Sequence, residues 1–151
     1  MTSPPDPFDT TNPVVALCAE GMAVDGTPAD AMRLFERAWA IRRDDFDAAV
    51  AAHFLARHQP TPDATLHWNA LAVRHAEAVR DGRGASLLAS LYLNLGDAQA
   101  NVGDVAAAAE SARRADDHLA AVAPGGYREL VALGVRRLGA RVGGAAGEPD
   151  A

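Results

Sequence analysis

The chain contains no lysine, and all 14 of its basic side chains are arginine. Cysteine occurs once, at Cys18. That excludes an intramolecular disulfide and a cysteine-based zinc site. Aromatic residues make up only 5%, so a core must rely on close backbone approach rather than on large rings. Two-residue alternation of β-branched side chains is missing, and strands are not expected. No apolar run approaches the ~20 residues of a membrane span. The opening M-T-S-P-P-D-P-F-D has neither the basic nor the apolar segment of a secretory signal. A cytoplasmic protein is expected. The net charge of −6 argues against a phosphate-tracking nucleic-acid surface. No glycine-rich strand-to-helix turn is available to cradle a cofactor, and none is expected.

What the chain has is alanine and helical periodicity. Hydrophobic residues reach 49%, much of it alanine, a strong helix former with little area to bury. The alanine excess with arginine as sole long cation reads as the codon bias of a GC-rich bacterial genome. Residues 1–12 read as a disordered N-terminal tail and 143–151 as a disordered C-terminal tail, leaving one helical domain over 13–142.

Seven helices are expected in that domain. The first covers 13–25, after Thr11 or Asn12 as cap and with Pro13 in the first turn. The second covers 28–42, with Thr27 and Asp30 as an approximate capping box. The third covers 45–58, capped by Asp44 or Asp45. The fourth runs from the Thr61 cap to about 80, apolar on two sides. Asp81-Gly82-Arg83-Gly84 reads as a loop. The fifth covers 86–102 and is apolar nearly all round, hence central. The sixth starts at the Asp104 cap and runs to about 123, and the seventh covers 127–142.

The run from Tyr92 to Ala115 carries the most information. Tyr92, Leu95 and Gly96 lie on one helix, Gly103-Asp104 make a turn, and Ala108 and Ala115 lie on the next. Gly96, Ala108 and Ala115 are small enough for two helix backbones to approach closely. The turns at Gly26, Pro60 and Gly103 are spaced by 34 and 43 residues, and 34 is the length of a tetratricopeptide (TPR) unit.

In this register residues 12–122 resemble the TPR family. The third unit matches best. The first unit keeps Gly26, Ala31, Phe35 and Ala38, with Ala19 in place of a glycine. The middle unit carries His53, Thr65 and Asn69 where the family has glycine, a small residue and an aromatic. Gln99 and Ala112 also stand where the family has aromatics. The runs A-A-H-F-L-A-R-H-Q-P-T-P and L-N-L-G are similar to those of short actinobacterial TPR-like proteins. The resemblance implies an all-α, right-handed solenoid of three antiparallel helix pairs, closed by a seventh, capping helix.

It also implies a concave face lined by the first helix of each pair. Glu20, Phe54, Arg57, His58, Leu93, Asn94, Asp97 and Asn101 are the residues expected there. An apolar pair flanked by Arg, His and Asn suits an extended peptide, because Asn satisfies a backbone donor and acceptor together. The alternative is that Phe54 and Leu93 are core and Arg57 pairs with a surface carboxylate.

Other candidates are weaker. His53, His58, His67 and His75 lie on the third and fourth helices, but without H-x-x-x-H or E-x-x-H spacing. No metal site is expected, and His53 reads as a hydrogen-bonded core residue. Cys18 reads as a small buried hydrophobe. Ser86, Ser90 and Ser111 lack a base and orienting acid nearby in sequence, so no catalytic residues are assigned. Arg113-Arg114, Arg136-Arg137 and Arg141 read as solvated helix faces.

The expected function is therefore non-catalytic: a groove that binds a peptide or helix of another protein. A positively charged partner segment suits the −6 balance. A homodimer is the second expectation, marked by an apolar exposed side on the first or seventh helix. The third is a small helical ligand-binding protein or enzyme using Trp68 and the His53–His75 region, which requires an enclosed pocket.

Overall fold

Five helix starts are set by side chains that accept the free N–H groups of a first turn. In the computed structural model, which describes residues 6–24 and 26–147, Asn12 caps α1 (Pro13–Ala23) by accepting from Val14 N. Thr27 and Asp30 form a reciprocal capping box on α2 (Pro28–Ala40). Asp44 caps α3 (Asp45–Leu55), which continues as a 3-10 turn over Ala56–His58. Thr61 caps α4 (Pro62–Ala78).

Next comes α5 (Gly82–Asn101). Asp104 caps α6 (Val105–His118), which ends in a 3-10 turn over Leu119–Ala121. The last helix is α7 (Gly126–Gly147). The described residues are helical, with no strand among them, and none of their helices is long and apolar enough to cross a membrane.

The first four helices end two or three residues earlier than expected, and three other boundaries differ more. Gly82, Arg83 and Gly84 are helical rather than a loop. Asp81 makes this possible, because its carboxylate accepts from Arg83 N at 3.0 Å and also holds the Arg83 guanidinium. A Cβ on Gly84 would lie 2.7 Å from Ala76 O, so glycine is required by the close passage of the chain there. The sixth helix gives up α geometry at His118, before Pro124-Gly125-Gly126. α7 continues to Gly147, five residues past the expected end. Residues 1–5 and 148–151 of the two expected tails lie outside the described residues. In residues 6–12, Asp6 and Asp9 accept from the N–H groups of Phe8 and Thr11 in successive turns.

The chain divides into two compact units, residues 1–84 and 85–151. In the first, α3 touches α1, α2 and α4 and is the most buried helix. Ala48, Ala49, Ala51 and Ala52 are all at most 2% exposed, so α3 packs on every side. Alanine, apolar but small, gives no sign of this in the sequence. At the α1–α2 crossing, a Cβ on Gly21 would lie 3.0 Å from Phe35 Cδ1 and nearer still to Cε1. Phe35 itself is fully buried.

In the second unit, a Schellman motif ends α5. Gly103 N donates to Ala100 O and Asp104 N to Gln99 O, with Gly103 at φ +87°. Gly96 sits where three helices meet, and its missing Cβ would be 2.5 Å from Leu138 Cδ2 and 3.4 Å from Ala108 O. Ala108 and Ala115 are completely buried. The small residues at Gly96 and Ala108 thus mark a real close approach of α5, α6 and α7. Where the TPR pattern has an aromatic, Gln99 accepts a 2.6 Å hydrogen bond from the buried Ser111 hydroxyl.

Candidate functional site

α1 and α3 run with their N-terminal ends together, because Asn12, the α1 cap, donates from Nδ2 to Asp47 of α3 at 2.8 Å. Towards their C-terminal ends the two helices share a neighbour, because Phe35 of α2 lies against Gly21 of α1 and Phe54 of α3. Phe54 packs on Phe35 with ring centroids 5.4 Å apart, and the His58 ring stacks on Phe35 at 6.4 Å and 7°. Glu20 lies in the last turns of α1, exposed, beside Gly21. Glu20, Phe54, Arg57 and His58 are thus gathered at one end of the unit. Phe54 is half-buried, while Arg57 and His58 are exposed. Arg57 forms no ion pair among the described residues.

His53 stands edge-on to Phe54 at 4.9 Å. Burial, aided by the positive charge of Arg57, pushes its imidazole down to about 4. His53 is therefore neutral at pH 7, and the exposed Arg57 and Glu20 are charged groups at this end of the unit.

The four remaining candidates lie on α5, in the second unit. Leu93 packs on the α6–α7 core, and its Cδ2 lies 2.6 Å from where a Cβ on Gly134 would stand. Asn101 Oδ1 accepts from Arg141 at 2.9 Å. Burial raises the Asp97 carboxyl, with Arg141 acting against it. Asn94 is half-buried. Leu93 and Asn101 are thus engaged by α7, a cover that sequence spacing did not reveal.

The four candidate histidines divide into two pairs. His53 and His58 lie at the Phe35 end. His67 stands edge-on to Trp68, and His75 edge-on to Trp39 with Nδ1 2.9 Å from Asp45 Oδ1. Among the described residues no group of three or more His, Cys, Asp and Glu is placed to share a metal ion. Cys18 is 1% exposed, and burial drives its thiol up to about 12. Arg113 and Arg114 are taken up by Glu110, and Arg113 also by Asp117, on the exposed side of α6.

Two features were missed by sequence reasoning. Asp47 is a completely buried carboxylate. It accepts from Asn12 Nδ2 and from Arg43 through both N and Nε. Burial works to raise its carboxyl, but the hydrogen bonds from Arg43 and Asn12 outweigh that and hold it below the carboxylate range. The spacing Asp44–Asp47 was the available signal, an N-cap followed three residues on by a second acid. The other feature is the pairing of Trp39 with Trp68 across α2 and α4, at 5.1 Å and 87°.

No protein-family model matches the chain, and no curated protein or solved structure does.

Proposed function

We propose that the chain is a non-catalytic, TPR-like interaction module of the cytoplasm, which holds a peptide or helix of another protein at the Phe35 end of its first unit. The observation that carries this reading is the gathering of Phe54, Arg57 and His58, with the last turns of α1, around one buried ring. The mix is that of a peptide site: an apolar shelf in Phe54, an unpaired guanidinium in Arg57, and an exposed imidazole in His58. The packing of α3 against α1, α2 and α4 supports a repeat-like stack. The engagement of Leu93 and Asn101 by α7 narrows the proposed surface to the first unit.

A photo-reactive amino acid in place of Arg57, irradiated in cells, tests this. A discrete adduct with a different protein, competed away by free wild-type chain but not by its Phe54→Ala variant, is expected. An absence of any adduct overturns the reading.

The second reading is self-association through α7. Leu130 is 67% and Tyr127 43% exposed on that helix. A shallow apolar groove of about 410 Å³ also runs between α6 and α7, over Ala109, Ala112, Val135, Gly139 and Val142. Sedimentation velocity separates the two readings, because a dimer that Leu130→Asp dissolves favours this one.

A further inference from the structure

The two tryptophans, with Arg42, make a surface whose chemistry is one-sided. Both indole rings are half-buried and lie edge to face between α2 and α4. Neither indole N–H meets an acceptor among the described residues. Among them no buried side-chain nitrogen or oxygen lacks a partner, so each N–H opens to solvent. The Arg42 guanidinium lies 3.9 Å over the Trp39 ring and donates to Trp39 O at 2.7 Å. It forms no ion pair among the described residues. Asp45, which opens α3, is engaged by His75. Glu36, three residues before Trp39 on α2, is exposed.

Tryptophan and arginine side chains donate hydrogen bonds and accept none. Such a surface is complementary to a segment rich in acceptors and negative charge, with an apolar side chain to lie on the rings. We propose that Trp39, Trp68 and Arg42 form a second docking surface, which takes an acidic, apolar-containing peptide segment of a partner protein. Tryptophan and arginine are the side chains that most often dominate protein–protein affinity. A guanidinium held over an indole is already oriented for a carboxylate, which lowers the ordering cost of binding. The net charge of −6 disfavours a polyanionic nucleic acid, whose many phosphates need a continuous basic track. Trp39 lies one helical turn past Phe35 on α2, and from there the surface extends towards His75 and the start of α3. Asp45, which His75 contacts, opens α3, whereas Arg57 and His58 follow its end, about 18 Å further along the axis.

The chain's two indole N–H groups give two resolvable signals in a proton–nitrogen NMR spectrum of the full chain, assigned with Trp39→Phe and Trp68→Phe. The probe is a short acetylated, amidated peptide of alternating Glu, Leu and Phe. Its controls carry Gln or Lys in place of Glu, and a single-stranded oligonucleotide serves as the nucleic-acid arm. Saturable shifts of both indole signals with the Glu peptide are expected, with affinity lowered at least about fivefold by Arg42→Gln. Arg57→Ala should leave that binding intact. Failure of the Glu peptide to move the indoles overturns the proposal, as does equal binding of the Gln or Lys peptide. So does tighter binding of the oligonucleotide, or loss of binding in Arg57→Ala. Arg42 is exposed, and retention of the remaining spectrum in Arg42→Gln shows that the fold is intact.

Discussion

Asn12 and Asp47, thirty-five residues apart, bind each other with the two ends of one amide in use: Asn12 Oδ1 caps α1 while Nδ2 donates to the buried Asp47 carboxylate at 2.8 Å. The same side chain starts a helix and ties it to α3. Replacing Asp47 with Ala strands the Asn12 amide and the Arg43 N–H groups together. A loss of about 3 kcal/mol in urea-measured stability is expected. Arg43→Ala keeps the Asn12 and backbone donors to Asp47 but removes its charged partner, so a smaller but measurable loss is expected.

Acid should act on this group at the low end of the scale. The folded carboxyl of Asp47 lies below its ordinary value of 3.8. The stability it contributes is whole above that value and is lost as pH falls through the folded one. Asp47→Asn should flatten the acid dependence below about pH 4, read from circular-dichroism melts in a pH series.

His53 titrates in a higher window. Its folded value of about 4 lies under the ordinary 6.5, so the unfolded chain takes up the proton first. The His53 contribution should be flat above pH 6.5, fall between 6.5 and 4, and level off below. The total loss is at most about 3.5 kcal/mol. A His53→Gln variant that keeps the slope over that interval would show that another group causes it.

Gly96 and Gly139 should respond oppositely to alanine. A Cβ at Gly96 meets Leu138 Cδ2 at 2.5 Å, whereas one at Gly139 meets nothing within 4 Å. Gly96→Ala should destabilise by about 1–3 kcal/mol. Gly139→Ala should stabilise α7 by about 0.5–1 kcal/mol through lower backbone entropy in the unfolded chain. Thermal midpoints of the two variants provide the check.

Ser111 and Gln99 form a pair whose halves depend on each other. Ser111→Ala leaves the Gln99 carbonyl without its donor and should cost about 1–2 kcal/mol. Gln99→Leu added to it should restore part of that loss, because an apolar side chain leaves no unmet acceptor. The double-mutant cycle measures the coupling.

Features set by short-range chemistry were legible in the sequence. The caps at Thr27, Thr61 and Asp104 and the turn at Gly103 each depend on residues within a few positions. So was the tight spot at Gly96, where only glycine fits. What escaped depends on distant partners. The burial of Asp47 depends on Asn12, thirty-five residues away. Leu93 looked like a groove residue until Gly134 opened a place for it on α7. Ala48, Ala49, Ala51 and Ala52 carry no sign of which side is buried, because alanine is indifferent. The loop expected at Asp81–Gly84 failed because Asp81 supplies a cap that outweighs two glycines.

The aromatic residues are divided between the units by type. Both tryptophans and all four phenylalanines belong to residues 1–84, and both tyrosines, Tyr92 and Tyr127, to 85–151. Tryptophan emission therefore reports on the first unit alone, and tyrosine emission on the second. Unfolding followed at the two wavelengths distinguishes a chain that melts as one cooperative body from one that melts in halves. Energy transfer from tyrosine to tryptophan adds a built-in ruler between them, with no label attached.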